Sequence, residues 1–481
     1  MLVIEIAQGL RLCLPAQLSK ISTYVFLEQE NWFEDESDFV ARLAEPGGRM
    51  LDIGSSFGFY SLSYAAAAGP GSRIWAFEPT PAVCQLLRES IRLNRLEQIT
   101  LLETAVGAEN GRCKFVSEES SELNSVDAAR GTLDVAVAPL DELAAAHGFG
   151  DIDFIKLDVE GHEAQVIQGG RAFFAQQSPL VMLEIKAGAT LDYSAASMLQ
   201  ALGYSLYRLV PGLGVLTPFD KDQPDPYQLN IFACKADRGE RLAERGLLRN
   251  VTMNVETLAD VREVAAAIKA IPALAPHTAF FEAWLANAPA QDPYLSLLRH
   301  AVTANNPALA VSVRCAALEN AARLARTIIS GPASLARCLT AARILRGWGD
   351  RGLAVSVLNK ILPAILQGAE LNIDAPFLPP LVSYDKWDAD TGNWINASVI
   401  ESSALWSSFS SYWGEPTQTS PAELLARFGR QTPLLERRRQ LRGIIQGQQV
   451  GPRPHPLLAS KSPENLNPRL WCGWQINTPP T

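Results

Sequence analysis

Seven short apolar segments recur between residues 50 and 235, most of them separated by a helix-length stretch, and this alternation limits the possible folds more than any other feature. Strand–helix–strand units build parallel sheets that helices cover on both faces. The last connection, residues 211–227, is rich in Gly and Pro and predicts a hairpin loop, so the seventh strand is expected to run antiparallel. The predicted strands are Arg49–Ile53, Arg73–Phe77, Ile99–Ala105, Phe154–Val159, Leu180–Ile185, Ser205–Leu209 and Leu229–Cys234.

Helical periodicity fills most of the connections between these strands. Residues 110–138 interrupt the alternation and are interpreted as an insertion or an extra strand pair near the sheet edge. An amphipathic helix is expected around Glu34–Leu43, before the first strand of the sheet. The helices predicted between strands are Tyr60–Ala68, Pro81–Asn94, Leu140–His147, Glu163–Phe174 and Ser194–Leu202.

The amino-acid composition changes near residue 240, after which Ala, Leu and Arg become dominant. Apolar residues at helical spacing on both sides of residues 347–352 predict a helical hairpin of tetratricopeptide length, without a clear second copy. Residues 371–420 are aromatic and are expected to be poor in helix. The predicted regions are a lead-in at 1–45, an α/β domain at 46–240, a helical, tetratricopeptide-like domain at 241–370, and a Trp-rich region with a basic helix and a Pro-rich tail at 371–481.

Six of the ten tryptophans lie after residue 386, among them Trp387, Trp394, Trp406 and Trp413. Packing of the helical region is the favoured interpretation, because Trp buries a large area wherever it packs. The alternative is a surface that stacks on sugar rings.

Charge and cysteine content exclude several classes of protein. Residues 1–240 contain 33 Asp and Glu against 18 Lys and Arg, so this part is an unlikely nucleic-acid binder. Seven scattered cysteines without a Cys-x-x-Cys pair argue against a disulfide framework or a zinc site, and a cytoplasmic location is expected. No apolar run reaches the length of a membrane span, and the N-terminus does not resemble a signal peptide.

A glycine-containing turn follows the first predicted strand, in Met50-Leu-Asp-Ile-Gly-Ser-Ser-Phe-Gly-Phe-Tyr-Ser61. Asp52 ends the strand, Gly54 lies in the turn, and Gly58 starts a helix. Glycines let the backbone approach a ligand closely, and a helix N-terminus offers free N–H groups. The spacing differs from the Gly-x-Gly-x-x-Gly of NAD-binding proteins, which favours a ligand with an amino-acid end over a pyrophosphate.

Three more acidic segments fall where predicted strands end. Glu78, in Phe77-Glu78-Pro79, can accept both hydroxyls of a ribose. Lys156 and Asp158 are delivered by the segment Asp153-Phe-Ile-Lys-Leu-Asp-Val-Glu-Gly-His-Glu163, and Glu184 ends the next strand. Because open α/β sheets bind ligands at the carboxyl ends of their strands, the sequence predicts one site at this edge.

These motifs together resemble the FkbM-type methyltransferases, over about residues 24–235. The likeness lies in Asp52–Ser61, Phe77–Pro79, the Leu87–Asn94 helix, Ile155–Glu163 and Leu183–Ile185. It implies a Rossmann-like sheet, S-adenosylmethionine as cofactor, and methyl transfer to a hydroxyl of a sugar, glycan or polyketide-like metabolite. Two departures are Ser55-Ser56, where the family usually has Ala-Asn, and Ser90, where Asn is frequent.

The resemblance also implies roles for individual residues. Glu78 would hold the ribose, Ala105 and Val106 would flank the adenine, and Asp158 would line the acceptor side. Glu160 and Glu184 are further candidates for binding the acceptor. The remaining cofactor contacts, mainly to the methionine part, are expected from Asp52, Gly54, Ser56 and Gly58.

Methyl transfer from a sulfonium to an alcohol needs in-line alignment and removal of the hydroxyl proton. His162, which follows Gly161 at a helix start, is the candidate general base, and Asp158 is the alternative. Lys156 is expected to pair with a neighbouring acid or to position the acceptor. No metal site is expected.

The predicted function is therefore an S-adenosylmethionine-dependent O-methyltransferase whose helical half recognises the acceptor or a protein partner. One alternative is a non-catalytic ligand-binding or scaffold protein, suggested by the Ser55-Ser56 departure alone. A nucleic-acid methyltransferase is suggested only by the arginines at 437–439 and 442. A solvated helix face explains those arginines more simply.

Overall fold

The computed structural model describes residues 1–6, 8–115, 133–187, 190–249, 255, 257–413 and 421–445. The predicted Pro-rich tail, with Cys472, Trp471 and Trp474, lies outside these residues, as does most of the insertion after residue 115. The strands are β1 Leu2–Glu5, β2 Arg11–Leu14, β3 Arg49–Ile53, β4 Arg73–Phe77, β5 Ile99–Leu102, β6 Ala105–Gly107, β7 Gly111–Phe115, β8 Leu133–Pro139, β9 Phe154–Leu157, β10 Leu180–Glu184, β11 Lys186–Ala187, β12 Thr190–Leu191, β13 Ser205–Val210, β14 Val215–Pro218 and β15 Asn230–Cys234.

The helices are numbered in chain order, and three short 3-10 helices at Pro272–His277, Val382–Lys386 and Ser411–Trp413 accompany them. The α-helices are α1 Ile21–Gln29, α2 Glu36–Leu43, α3 Phe59–Ala68, α4 Pro81–Asn94, α5 Leu140–His147, α6 Glu163–Gly169, α7 Arg171–Gln176, α8 Ser194–Ala201, α9 Ala236–Glu244, α10 Val261–Lys269, α11 Thr278–Asn287, α12 Pro293–Asn305, α13 Val311–Ile329, α14 Leu335–Trp348, α15 Arg351–Leu366, α16 Thr391–Trp406, α17 Pro421–Arg427 and α18 Pro433–Ile445. None of the described helices is both long enough and apolar enough to cross a bilayer.

The main sheet has the strand order β14-β13-β15-β10-β9-β3-β4-β5. Strands β10, β9, β3, β4 and β5 are parallel, and β15 pairs antiparallel with both β10 and β13. The predicted Rossmann-like sheet and its antiparallel last strand are confirmed. An eighth strand, β14, lies in the predicted hairpin loop, where Val215 and Leu216 are fully buried at the sheet edge.

Two predicted elements are each divided in the structure. The strand predicted at Ile99–Ala105 ends at Leu102, and Ala105 begins β6, which belongs to a separate three-stranded sheet, β6-β8-β7. The helix predicted at Glu163–Phe174 is interrupted at Gly170, between α6 and α7. A break at glycine agrees with its low helix propensity.

The lead-in forms an integral part of the core. Helix α1 is buried along eight of its nine residues, and it packs against α18 near the end of the described chain. Leu441 of α18 shares one apolar cluster with Tyr24 of α1 and Met50 of β3. The first α-helix and the last described helix therefore meet over the sheet.

The expectation that residues 371–420 are poor in helix is wrong for residues 391–406, which form helix α16. Helix α16 runs through them for 16 residues, with Trp394 fully buried and Trp406 nearly so. Its many Ser, Asn and β-branched residues are weak helix formers, and tertiary burial outweighs that preference. These two tryptophans pack the helical core, as the favoured interpretation expected.

Two of the four arginines of the predicted basic helix, Arg437 and Arg438, do not lie on a solvated face, whereas Arg439 is exposed. Arg437 is 4% exposed, and its Nε donates to the backbone oxygen of Glu28 at 2.8 Å. Arg438 Nε lies 2.7 Å from Glu28 Oε1. This side of α18 faces inward because α1 presents the fully buried carboxylate of Glu28 to it.

Polar contacts join the sheet to the helical half directly. Arg208 of β13 donates to the backbone oxygen of Trp348 at 2.6 Å and lies over its ring. The backbone N–H of Gly212 donates to Gly347 O at 2.8 Å. These contacts include a backbone–backbone hydrogen bond, so the helical half packs directly against the edge of the sheet.

Candidate functional site

A cavity of about 430 Å³ opens where β3, β4, β9 and β10 end, and its volume is in the range typical of small-molecule sites. It lies at the carboxyl edge of the parallel strands, as the sequence predicted. Ten of the twelve predicted site residues line it: Gly54, Ser56, Glu78, Ala105, Val106, Lys156, Asp158, Glu160, His162 and Glu184.

The turn after β3 requires glycine at position 54. Gly54 has a φ of +83°, and a Cβ atom there would lie 1.8 Å from the backbone oxygen of Asp158. The N–H groups of Gly54 and Ser55 both donate to Phe77 O, at 3.1 and 2.9 Å. The turn is therefore pressed between the ends of β4 and β9, with its backbone facing the cavity.

Asp52 and Gly58 lie behind this turn and are not among the residues lining the cavity. Asp52 is 1% exposed, and its Oδ2 accepts hydrogen bonds from Ser61 N at 3.1 Å and Ser61 Oγ at 2.6 Å. Burial raises the pKa of Asp52, although Lys156 and the Ser61 hydroxyl act in the opposite direction. Gly58 has a φ of +82°, and a Cβ there would lie 2.2 Å from Leu87 Cδ1. Asp52 and Gly58 therefore stabilise the start of helix α3.

Glu78 reaches the cavity from the end of β4. Its Oε2 accepts from Ser56 N at 3.2 Å, and its Oε1 accepts from Thr80 N at 2.8 Å. Burial raises the pKa of Glu78, opposed by the hydrogen bonds from Thr80 and Ser56. Ser56 has a φ of +47°, a conformation that Asn tolerates better than Ser, which gives a physical reason for the Asn usual at this position in the resembled family.

The residues at this end of the cavity fit S-adenosylmethionine. Each oxygen of Glu78 keeps a lone pair that can accept a ribose hydroxyl. The Ser55 hydroxyl is buried without a partner among the described residues, and it can bond to the amino-acid part. Ala105 and Val106 provide an apolar wall against which adenine can pack.

Lys156 and Asp158 form an ion pair in the floor of the site. Lys156 Nζ lies 2.9 Å from Asp158 Oδ2 and donates to Gly54 O at 2.8 Å. Burial alone would lower the pKa of Lys156, but Asp158 and Asp52 raise it overall. The ammonium therefore stays charged and ties the end of β9 to the turn after β3.

Glu184 completes a cluster of carboxyls with Asp158 and Glu160. One oxygen from each of the three lies within 4.8 Å of the others, an arrangement that could also hold a metal ion and that sequence spacing did not reveal. Burial, and then the neighbouring charges of Asp158 and Glu160, raise the pKa of Glu184 to about 11. At neutral pH this carboxyl keeps its proton and shares it with Asp158.

His162 lines the cavity from the residue before α6, and it is half-buried. The loop that carries it is fixed by Glu163, whose Oε1 accepts from Val159 N at 3.0 Å and Gly161 N at 3.2 Å. The imidazole of His162 therefore lies on a short turn that these hydrogen bonds hold in place.

Glu34 and Tyr60 also line the cavity, and neither was predicted as a site residue from the sequence. The Tyr60 hydroxyl donates a short hydrogen bond to Glu34, and the Tyr60 ring lies 5.9 Å from Lys156 Nζ. Burial raises the pKa of Glu34, with the Tyr60 hydrogen bond acting against it. The run of aromatic and acidic residues at 31–36 was the available signal.

Aromatic side chains from both ends of the chain form another part of the cavity. Trp32 and Phe33 belong to the lead-in, whereas Phe409 and Trp413 follow α16. The Phe33 ring centroid lies 5.1 Å from that of Phe409 and 5.4 Å from that of Trp413. Trp413 is thus the described tryptophan of the Trp-rich region that reaches the cavity.

Residues 52–206 match the family model described as the methyltransferase FkbM domain. Among curated proteins, the chain is similar to the 2-O-methyltransferase NoeI of Sinorhizobium fredii (strain NBRC 101917 / NGR234). The two are 27% identical over 151 residues, which cover 27% of this chain and 61% of NoeI. The chain therefore spans less than two thirds of that relative's length.

Among solved structures, the chain is similar to the methyltransferase FkbM of Methylobacillus flagellatus KT, with 18% identity and a TM-score of 0.28, over 41% of this chain and 50% of that one. It is also similar to a SAM-dependent O-methyltransferase of Thermotoga maritima, with 16% identity and a TM-score of 0.25, over 42% of this chain and 64% of that one. Each match covers about two fifths of the chain.

Proposed function

We propose, from the match of residues 52–206 to the methyltransferase FkbM domain, that the chain transfers a methyl group from S-adenosylmethionine to a hydroxyl group of a sugar or glycosylated metabolite. The similarity to a 2-O-methyltransferase supports oxygen as the accepting atom. The observation that carries the proposal is the arrangement of Glu78 and the Gly54 turn at one end of the cavity, with the carboxyl cluster and His162 lining the same cavity.

Different residues of the chain bind the cofactor and remove the proton from the acceptor. Glu78 binds the ribose, the Gly54–Ser56 turn binds the amino-acid part, and Ala105 and Val106 pack on the adenine. When bound, the cofactor supplies an activated methyl group on a sulfonium. The chain's residues would align the acceptor hydroxyl with that methyl group and take up the hydroxyl proton.

We place the general base at His162. Asp158 is the alternative, but its carboxylate is already engaged by the Lys156 ammonium and by Glu184. Lys156 acts as a positioning residue, since its contacts to Gly54 and Asp158 fix the distance between the two sides of the site. Such positioning supplies much of the rate of an in-line displacement.

Calorimetric titration of S-adenosylmethionine into the wild type and Glu78→Ala tests the cofactor site. We expect wild-type binding, and a loss of at least about 10- to 100-fold in the variant, because even one hydrogen bond to a carboxylate contributes roughly 1.5–3 kcal/mol. Glu97→Ala, which removes an exposed carboxylate before β5, is the control and should bind like the wild type. Absence of wild-type binding at millimolar cofactor would refute the proposal.

Transfer of labelled methyl groups to a panel of glycans then tests the reaction. His162→Ala should lower kcat by about 100-fold or more with little change in cofactor affinity, as expected for loss of a general base. Asp158→Asn should instead change both. Cofactor binding without transfer to any acceptor would favour the non-catalytic scaffold.

A further inference from the structure

The aromatic side chains at the cavity come from segments that lie far apart in sequence. Trp32 and Phe33 precede the sheet, and Phe409 and Trp413 follow the last long helix of the helical half. Trp413 is 45% exposed although it is a large apolar side chain, so part of its ring is open to a ligand. Its ring stands edge-on to Phe33, with an interplanar angle of 90°.

Buried polar contacts fix the segment that carries Phe409 and Trp413. Glu28 of α1 is fully buried, and its carboxylate accepts from Ser410 Oγ at 2.5 Å and from Ser411 N at 3.1 Å. The Tyr24 hydroxyl lies 2.9 Å from Ser411 Oγ. Residues 410–411 are thus bonded to α1, on the sheet side of the molecule.

Arg351 and Gln29 hold Phe409 itself. The Arg351 guanidinium lies 4.3 Å from the centroid of the Phe409 ring, and its Nε donates to the backbone oxygen of Trp406 at 2.8 Å. Gln29 Nε2 donates to the backbone oxygen of Phe409 at 2.8 Å. Such preorganisation lowers the entropic cost of binding a ligand against these rings.

Carboxyl side chains line the same cavity as the aromatic rings and affect which acceptor charge can bind there. Five carboxyl side chains line the cavity: Glu34, Glu78, Asp158, Glu160 and Glu184. Among the described lining residues, Lys156 is the one Lys or Arg, and its ammonium is already paired with Asp158. A negatively charged acceptor would therefore meet several carboxyl groups and no uncommitted Lys or Arg.

We propose that the helical half completes the acceptor site, where Phe409 and Trp413, with Trp32 and Phe33, bind the ring of an uncharged or positively charged glycosyl group and disfavour an anionic one. This rests on the proposed methyltransferase function. The C–H groups of a pyranose carry a slight positive charge and pack on the negative faces of aromatic rings. Carboxyl groups accept hydrogen bonds from sugar hydroxyls, and those that are ionised attract an ammonium substituent.

Three methyl glycosides that share a ring and differ in charge provide the test: methyl glucoside, methyl glucosaminide and methyl glucuronide. Each is titrated calorimetrically into the full chain saturated with S-adenosylhomocysteine, so that no turnover occurs. We expect the glucoside and glucosaminide to bind at least about tenfold more tightly than the glucuronide, which corresponds to about 1.4 kcal/mol.

Aromatic substitutions then locate the binding surface. Trp413→Ala should weaken glucoside binding about tenfold, and Trp413→Phe should restore most of it, because a ring face is retained. Phe280→Ala is the matched control, since Phe280 is 43% exposed but lies outside the cavity. Phe409→Leu, which keeps the apolar volume and removes the ring, should also weaken binding.

The outcomes separate this proposal from the proposed function. Equal or tighter binding of the glucuronide, or wild-type glucoside affinity in both Trp413→Ala and Phe409→Leu, would overturn the acceptor site. Binding of S-adenosylhomocysteine without binding of any glycoside would overturn the glycosyl class and leave the cofactor site standing. Failure of the wild type to bind S-adenosylhomocysteine would instead overturn the proposed function.

Discussion

The two ends of the cavity are built in different ways. The proposed cofactor end takes Gly54 and Glu78 from neighbouring parallel strands, and backbone N–H groups hold both in place. The proposed acceptor end brings Phe33 against Phe409 and Trp413, which come from opposite ends of the chain. One sheet edge thus supplies a local, motif-encoded half of the site, whereas the other half depends on the packing of whole regions.

A backbone change at the cofactor end should have the largest effect on ligand binding. In Gly54→Ala the new Cβ would lie 1.8 Å from Asp158 O, so the turn and the end of β9 cannot keep their positions. We expect S-adenosylmethionine binding to weaken by at least about 100-fold, or roughly 2.7 kcal/mol, by calorimetry. Wild-type affinity in this variant would show that the turn does not contact the cofactor.

Gly69→Ala is the matched control for that change. Gly69 has a similar φ of +77°, but no atom lies within 4 Å of the position of its Cβ. It should lose about 1 kcal/mol of unfolding free energy in urea from backbone strain alone, and keep its affinity for the cofactor.

Removal of the buried charge of Glu28 should affect the acceptor end of the cavity and leave the cofactor end nearly unchanged. Glu28→Gln leaves the Arg438 guanidinium without its buried carboxylate partner, and such a loss costs about 3–5 kcal/mol. We expect a lower free energy of unfolding and weaker glycoside binding, with cofactor affinity in the folded protein nearly unchanged. Equal weakening of both ligands would mean that the ends are not independent.

The control for this experiment is the same substitution in an exposed ion pair. Glu89→Gln breaks the contact with Arg92 on the surface of α4, where side chains are solvated. Unfolding and ligand binding should both remain close to wild type.

The smallest effect is expected from replacing the protonated carboxyl of Glu184 at the acceptor end. The pKa of Glu184 is about 11 in the folded chain against 4.5 unfolded, so its favourable contribution is complete below about pH 4.5 and is lost as the pH rises toward 11. Glu184→Gln should flatten the pH dependence of unfolding free energy by up to about 1 kcal/mol per pH unit. Thermal melts between pH 6 and 8 measure this, and profiles parallel to those of the wild type and of Glu97→Gln would contradict it.

Much of the sheet and of the cofactor end could be predicted from sequence. The bounds of β3, β4, α4 and α5 agree with the prediction, because apolar strands and capped or Pro-started helices leave local signals. Ten predicted site residues meet in one cavity, since parallel strands deliver their carboxyl ends to the same edge. Asp52 was the instructive exception, because periodicity does not reveal whether a strand-end acid faces a ligand or a helix terminus.

The sequence by itself determined the sheet, its glycine turn and the acids at its edge, because each depends on residues close together in the chain. Only the tertiary structure decided that Glu28 faces Arg438, that α16 forms from weak helix formers, and that Trp413 reaches the cavity while Trp394 is buried. Those outcomes depend on contacts across nearly the whole chain, where burial and charge pairing outweigh local preference.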